Sequence, residues 1–238
     1  MSEIKTAIVT GAGSGIGQPT AVALALEGWN VVLVGRTPGK LHESIAWAVK
    51  AGADENRLLA SPLDITSSGN WHQLMNDAVT HFGRLDALIN IAGYASQVPI
   101  EMISADEWQK TIDTNVTAVV QMTAAAWPFL KAQGGTIANV SSMASLDPFP
   151  MFAMYAAAKA AINMFTLVSA RAGADDNINA FAVAPGAVDT PMLRSMFDEL
   201  QIPKENTLAP EEVAKVIVDC VLGRRAYQPG ETIALPSP

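Results

Sequence analysis

The sequence predicts a doubly wound α/β fold, a seven-stranded parallel sheet with helices on both faces, and three observations carry that reading. Seven short runs rich in Val, Ile and Ala recur along the chain without polar alternation, as strands covered on both faces do. Longer stretches with helical periodicity separate them, so strand and helix alternate and the parallel crossovers are right-handed. A glycine cluster follows the first run directly, where a strand turns into a helix.

Taken in order, residues 4–10 form the first strand, and Thr10-Gly11-Ala12-Gly13-Ser14-Gly15-Ile16-Gly17 leads into a helix over 16–28. Pro19 sits in its first turn, where a missing N–H costs little. A strand at 30–35 passes through Thr37-Pro38, a cap and a first-turn proline, into a helix over 38–52. Strand 57–61, helix 67–82 and strand 85–90 follow. Ser104, with Glu107 three residues on, starts a helix over 104–132. Strand 136–141, helix 152–172 and strand 178–184 continue the alternation. Residues 190–209, of mixed polarity with two prolines, read as a substrate flap. Pro210-Glu211-Glu212 opens a helix over 210–222, and 232–235 is the last strand. No repeat or Pro/Gly-rich linker divides the chain, so one domain spans 1–238.

Half of the residues are apolar and 16% are charged, a balance that gives a packed core rather than disorder. With 15 Lys+Arg against 23 Asp+Glu the net charge is −8, which opposes nucleic acid and anionic lipid as partners. Cys220 is the single cysteine, so no internal disulfide forms and a reducing, cytoplasmic setting is expected. The N-terminus has neither the basic start nor the apolar stretch of a signal peptide. The longest apolar stretch, 116–130, is broken by Thr117, Gln121, Thr123 and Pro128 and is too short to span a bilayer.

Two motifs carry chemistry. Glycines allow a tight turn and close approach to a pyrophosphate, whose charge is met by free N–H groups at the helix start. Here Gly11, Gly15 and Gly17 are spaced GxxxGxG rather than GxGxxG, and no Gly-Lys-Ser/Thr follows, which excludes a P-loop. A turn that only packs helix on strand has the same composition. The second motif is Tyr155-Ala156-Ala157-Ala158-Lys159, which puts a phenol and an ammonium on one helix face. A surface Lys lying along a Tyr has this spacing too, but Ser142 stands thirteen residues upstream at the carboxyl end of a strand, where parallel sheets bind ligands.

Together these residues resemble the short-chain dehydrogenase/reductase family, in its TGxxxGxG and YxxxK branch, and the likeness runs from Thr6 to about Leu235. It implies a Rossmann-like NAD(P)-binding oxidoreductase acting on CH–OH groups, with a small-molecule alcohol or carbonyl as substrate. It also implies homodimers or homotetramers, built by pairing the helices at 116–130 and 152–168 with a partner's. By the same likeness Ser142 is the catalytic serine, Ser141 its neighbour and the alternative should the loop register shift. Tyr155 is the acid/base, Lys159 also binds the nicotinamide ribose, and Asn115 completes the set through a relay water. Gly11, Gly13, Ser14, Gly15, Ile16 and Gly17 form the phosphate turn, and Asp64 and Ile65 match the adenine-contacting pair, although a turn-forming Asp64 reads the same. Asn90, Ala92 and Gly93 match the family NNAG, with Ile91 replacing its second Asn. Pro185, Gly186, Val188 and Thr190 match PGxVxT, which places Val188 and Thr190 at the carboxamide. The tail from Pro229 lacks the usual acidic-Gly-Gly turn, which leaves the packing of that edge open. An epimerase or dehydratase of the longer sister branch is disfavoured by the length and by the glycine spacing.

The residue types suit the reaction. A carbonyl receiving hydride gathers negative charge and needs a proton donor within hydrogen-bond reach. A tyrosine, at about pH 10, titrates too high to serve as a base at neutral pH unless cations lower it, here Lys159 and the oxidised nicotinamide. Ser142 would hold the substrate oxygen. The second strand ends at Gly35, where an acidic residue would bind the adenosine ribose, and Arg36 and Thr37 follow. Arg36 suits a 2′-phosphate, so NADP(H) is favoured and NAD(H) is the alternative; an exposed strand-end Arg is the plainer account. His42, His72 and His81 form no metal pattern with Cys220. Tyr94, Met143, Leu146, Phe149, Phe152, Met192 and Met196 are the expected substrate neighbours, a set suited to a neutral or mainly apolar carbonyl. A silent dinucleotide sensor on the same fold is the other function class, and the intact Ser142, Tyr155 and Lys159 set argues against it.

Overall fold

The computed structural model describes residues 4–67 and 69–238; Met1, Ser2, Glu3 and Ser68, and with them most of the N-terminal leader reading and one position of the 67–82 helix, lie outside the described residues. Strands β1 (Thr6–Thr10), β2 (Asn30–Gly35), β3 (Leu58–Pro62), β4 (Ala87–Asn90), β5 (Thr136–Val140), β6 (Asn179–Pro185) and β7 (Thr232–Leu235) form one sheet. Its order is β3-β2-β1-β4-β5-β6-β7, and every neighbouring pair is parallel.

The unbroken apolar strands now have their reason. Ala7, Val9, Val31, Leu33 and Ile89 point to one face and Ile8, Val32, Val34 and Leu88 to the other, and both sets are buried. The first face is covered by α1 (Gly17–Leu26), α2 (Pro38–Lys50) and, after the later strands, Pro210–Val221. The second is covered by α3 (Asn70–Phe82), Ala118–Gln133 and Ala153–Gly173. Between β3 and β1 the chain winds one way and from β4 onward the other, so a crevice opens above the carboxyl ends of β1 and β4.

Strand ends differ from expectation by one or two residues. The first strand begins at Thr6 rather than residue 4, because Ile4 is exposed whereas the Thr6 amide donates to the buried Asp86 carboxylate at 2.8 Å. The helix expected over 104–132 is interrupted: α4 (Ala105–Ile112) and α5 (Ala118–Gln133) are joined by a π-helical turn, Asp113–Thr117. Ser104 does cap α4, its hydroxyl accepting from the Glu107 amide at 3.2 Å. Beyond these lie α6 (Ala153–Gly173), a short α7 (Pro191–Arg194) inside the segment expected as a flap, and α8 (Pro210–Val221). The 190–209 segment is pinned at both ends: Arg194 bonds Asp189 at 2.7 Å and the Ile202 carbonyl at 2.7 Å, and Val188 bridges to Leu208. Among the described residues no helix is long and apolar enough to cross a membrane.

Candidate active site

The crevice floor begins with the glycine turn. Gly11 (φ +68°) and Gly15 (φ +55°) occupy the left-handed region that side chains disfavour, which explains glycine at these two positions. A methyl on Gly11 would also come within 3.1 Å of the Ala92 backbone, so this turn and the end of β4 are in close contact. Thr10 ties them together: its hydroxyl accepts from the Ile91 and Ala92 amides at 2.9 and 3.1 Å. Gly17 does not face the crevice; a methyl there would collide with the Gly11 carbonyl oxygen, so its role is helix–strand packing.

Toward β2 and β3 the wall is Arg36, Thr37, Asp64, Ile65 and Thr66. Asp64 accepts from the Thr66 amide at 2.9 Å and hydroxyl at 2.8 Å. These bonds, with a smaller contribution from the Arg36 charge, hold its carboxyl below the usual range against the opposing effect of burial. Lys40, which the sequence reading did not single out, lines the same wall, and its stem would lie 3.0 Å from a methyl on Gly13. Its signal was present: a second cation four residues after Arg36, in the first turn of α2.

The reacting end is built by β5 and α6. Ser142 follows β5 in extended conformation, its hydroxyl bonded to Tyr155 and accepting from the Ala144 amide at 3.2 Å. Ser141, the register alternative, is buried and donates instead to the Lys159 carbonyl at 3.2 Å. Tyr155 is in the first turn of α6, half-buried at the crevice, and Lys159 lies one turn on with its Nζ 5.5 Å from the Tyr155 ring centre. Lys159 is buried and donates to the Val140 carbonyl at 2.7 Å. Two supports escaped sequence reading. Ser145 Oγ donates to the Ser142 carbonyl at 2.6 Å and accepts from Asn163 at 2.8 Å, fixing the loop that carries Ser142. No spacing rule ties Asn163 to that loop; the pairing exists only in three dimensions.

Burial shifts the two titrating groups in opposite directions. It pushes the Tyr155 phenol up to about 12, outweighing the lowering effect of its Ser142 bond, and it pulls Lys159 down to about 8. In the chain alone the net shift of the phenol is upward, because the cost of placing a phenolate away from water is the largest effect; the expected lowering belongs to Lys159 together with the oxidised nicotinamide.

Asn115 lies in the π-helical turn, wholly buried, and its amide is bonded to Tyr94 on both sides: Nδ2 donates to the Tyr94 carbonyl at 2.7 Å and Oδ1 accepts from its amide at 3.1 Å. It stands beneath Gly93, where a methyl would meet Asn115 Oδ1 at 3.1 Å and Lys159 Nζ at 3.6 Å. Asn90 is likewise behind the wall, donating to Asn139 at 2.9 Å, which donates to Thr166 at 2.8 Å. Apart from Asn115, Asn90 and Gly17, the expected catalytic and cofactor residues line one cleft of about 1240 Å³, and so do the expected substrate neighbours except Leu146, whose side chain is exposed and lies outside it. That volume exceeds the roughly 300–1,000 Å³ of a single small-molecule site and leaves room for a dinucleotide beside a substrate. The tail joins it: Gly186 donates to the Leu235 carbonyl at 2.9 Å, and Pro236 and Ser237 form part of the cleft wall. Among the described residues no group of three or more His, Cys, Asp or Glu is placed to hold a metal ion.

Residues 5–201 match the family model described as short chain dehydrogenase. The chain belongs to the short-chain dehydrogenase/reductase family. It is thereby an oxidoreductase, and two relatives are similar over nearly their whole length. Trans-4-hydroxycyclohexanecarboxylate dehydrogenase of Sinomonas cyclohexanicum is 33% identical over 97% of this chain and 91% of its own. Acetoacetyl-CoA reductase of an Acinetobacter species is 31% identical over 99% and 97%. Among solved structures, a 3-ketoacyl-(acyl-carrier-protein) reductase of Brucella melitensis complexed with NADH superposes with a TM-score of 0.89 at 26% identity, covering 98% of this chain and 97% of that one. The short-chain dehydrogenase fold therefore accounts for the order of the strands and the crevice.

Proposed function

We propose that this enzyme interconverts a secondary alcohol and a ketone with NADP(H) in preference to NAD(H), Tyr155 serving as acid and base. The observation that carries the reading is the convergence of Ser142, Tyr155 and Lys159 at the end of the cleft away from Arg36, with the glycine turn between. The cleft volume, the left-handed glycines and the start of α1, which has no side-chain cap, suit a dinucleotide. The nicotinamide cofactor, when bound, donates or accepts the hydride.

The chain's own residues do the rest. Ser142 holds the substrate oxygen, and Tyr155, protonated at neutral pH, delivers its proton as that oxygen gains charge. Lys159 brings positive charge beneath the ring and steadies the phenolate left behind. Asn115 acts through position, holding the Tyr94 backbone so that Gly93 closes over Lys159. Arg36 and Lys40 supply two cations where a 2′-phosphate would lie, and Gly35 removes the carboxylate that would repel it. The working setting is the cytoplasm, where the buried Cys220 stays reduced.

Titration of NADPH and NADH against the wild type and Tyr155→Phe, with ketone reduction measured beside it, tests both parts. NADPH is expected to bind more tightly, and Tyr155→Phe to keep that affinity while losing roughly 10²–10⁴-fold in turnover. Tighter NADH binding would overturn the cofactor preference, and wild-type turnover in the variant would overturn the role of Tyr155.

A further inference from the structure

Charge is divided unevenly around the cleft. Its cations lie at the glycine-turn end or are already engaged: Arg36 and Lys40 line the wall opposite Tyr155, and Lys159 is bonded to the Val140 carbonyl. Lys110 sits 4.0 Å over the Tyr94 ring and its charge acts on the neighbouring Glu107 carboxyl, while Asp106 and Asp113 line the cleft beside it, so this stretch of wall carries no excess of positive charge. The compartment above Tyr155 is walled by Met143, Phe149, Met151, Phe152, Met196 and Phe197, with the last ring stacked on Phe152 at 6.1 Å between centres. Among the described lining residues of 140–152 and 185–202, Asp147 alone carries a charge. The neighbouring cations Arg194 and Lys204 are turned onto Asp189, at 2.7 and 3.8 Å, and neither lines the cleft.

An anion entering this compartment would shed water against Met and Phe side chains, meet no unpaired cation, and pass the carboxylate at the rim. An uncharged ketone would only bury apolar surface, which is favourable. We propose that Asp147 is a specificity-determining residue that bars anionic substrates, so that the site takes uncharged ketones and secondary alcohols and rejects keto acids and acyl thioesters of phosphate-bearing carriers. This inference rests on the reading of Ser142 and Tyr155 as the groups that meet the carbonyl.

The test compares kcat/KM for cyclohexanone and 4-oxocyclohexanecarboxylate, two ketones that differ by one charged group, with both reduced nicotinamide cofactors supplied. The wild type is expected to favour the uncharged ketone by about tenfold or more, a size consistent with one charge at a partly hydrated rim. Because Asp147 is exposed, Asp147→Lys is compatible with folding; it is expected to move the ratio about tenfold toward the carboxylate, and less so at about 1 M salt, where charges are screened. A wild-type preference for the carboxylate, or a ratio unmoved by Asp147→Lys, overturns the inference and leaves the oxidoreductase reading standing. Turnover of neither ketone nor of any in a wider panel overturns both.

Discussion

At Tyr155 and Lys159 one cause, burial, acts on two groups of opposite charge type, and the consequence is a directional bias. With the phenol raised to about 12, Tyr155 keeps its proton throughout the neutral range and is ready to donate it, as ketone reduction requires. Alcohol oxidation needs the phenolate, which becomes more accessible as pH rises. Lys159, lowered to about 8, carries its charge below that pH and loses it above, so the positive support for a developing phenolate weakens in the alkaline range. The expected outcome is a reduction rate that is flat from about pH 6 to 8 and falls above it, while the ratio of oxidation to reduction climbs with pH by up to about tenfold per unit. The climb in the ratio follows from the proton that reduction consumes, so the reduction profile alone tests the residues: initial rates across pH 6–10 check it, and a reduction rate that does not fall above about pH 8 would contradict the role given to Lys159.

Among the elements, the glycine turn and the α4–α5 junction show what sequence can and cannot convey. Gly17 and Gly39 both fall in the first turn of a helix, yet their surroundings are opposite: a methyl on Gly17 would strike the Gly11 carbonyl, whereas one on Gly39 meets nothing within 4 Å. Gly17→Ala is expected to lower cofactor affinity at least tenfold and to lower the Tm, and Gly39→Ala to stabilise the chain by about 0.5–1 kcal/mol. Cofactor titration and thermal melts on the two variants check the contrast, and equal effects would refute it. The strands were legible because both sheet faces are buried, which leaves apolar runs, and Ser142, Tyr155 and Lys159 were legible because a strand end and one helical turn bring them together. The π-helical turn was not: residues 104–132 keep helical periodicity throughout, and the wider turn at Asn115 is specified by Tyr94, twenty-one residues earlier in the chain, through bonds to its backbone. Asn90 was misplaced toward the cleft for a related reason. Its partner Asn139 lies on β5, and a pairing between neighbouring strands leaves no trace in the local sequence.

On the scale of the whole molecule, the sheet is covered on both faces by its own helices, so further association must use the outer surfaces of those helices or the edge strands β3 and β7. The outer face of α6 offers one: Met164 and Val168, four residues apart and therefore on one side of the helix, are 60% and 54% exposed. Isolated apolar side chains at a surface are ordinary, but two stacked on a single helix row, on an element otherwise packed into the sheet, form a stripe that a second copy of the same helix could cover. The net charge of −8 works against such pairing at low salt and is screened at high salt, so association should strengthen with ionic strength. We therefore expect size-exclusion chromatography with light scattering to give a dimer or tetramer of the 25.1 kDa chain, more completely at about 0.5 M salt than at about 0.05 M. Val168→Lys, which puts charge into the middle of the stripe without disturbing the buried side of α6, should shift the population toward the monomer. A wild-type monomer across this salt range would rule out the α6 stripe as an interface; a stable oligomer untouched by Val168→Lys would place the contact elsewhere on the molecule.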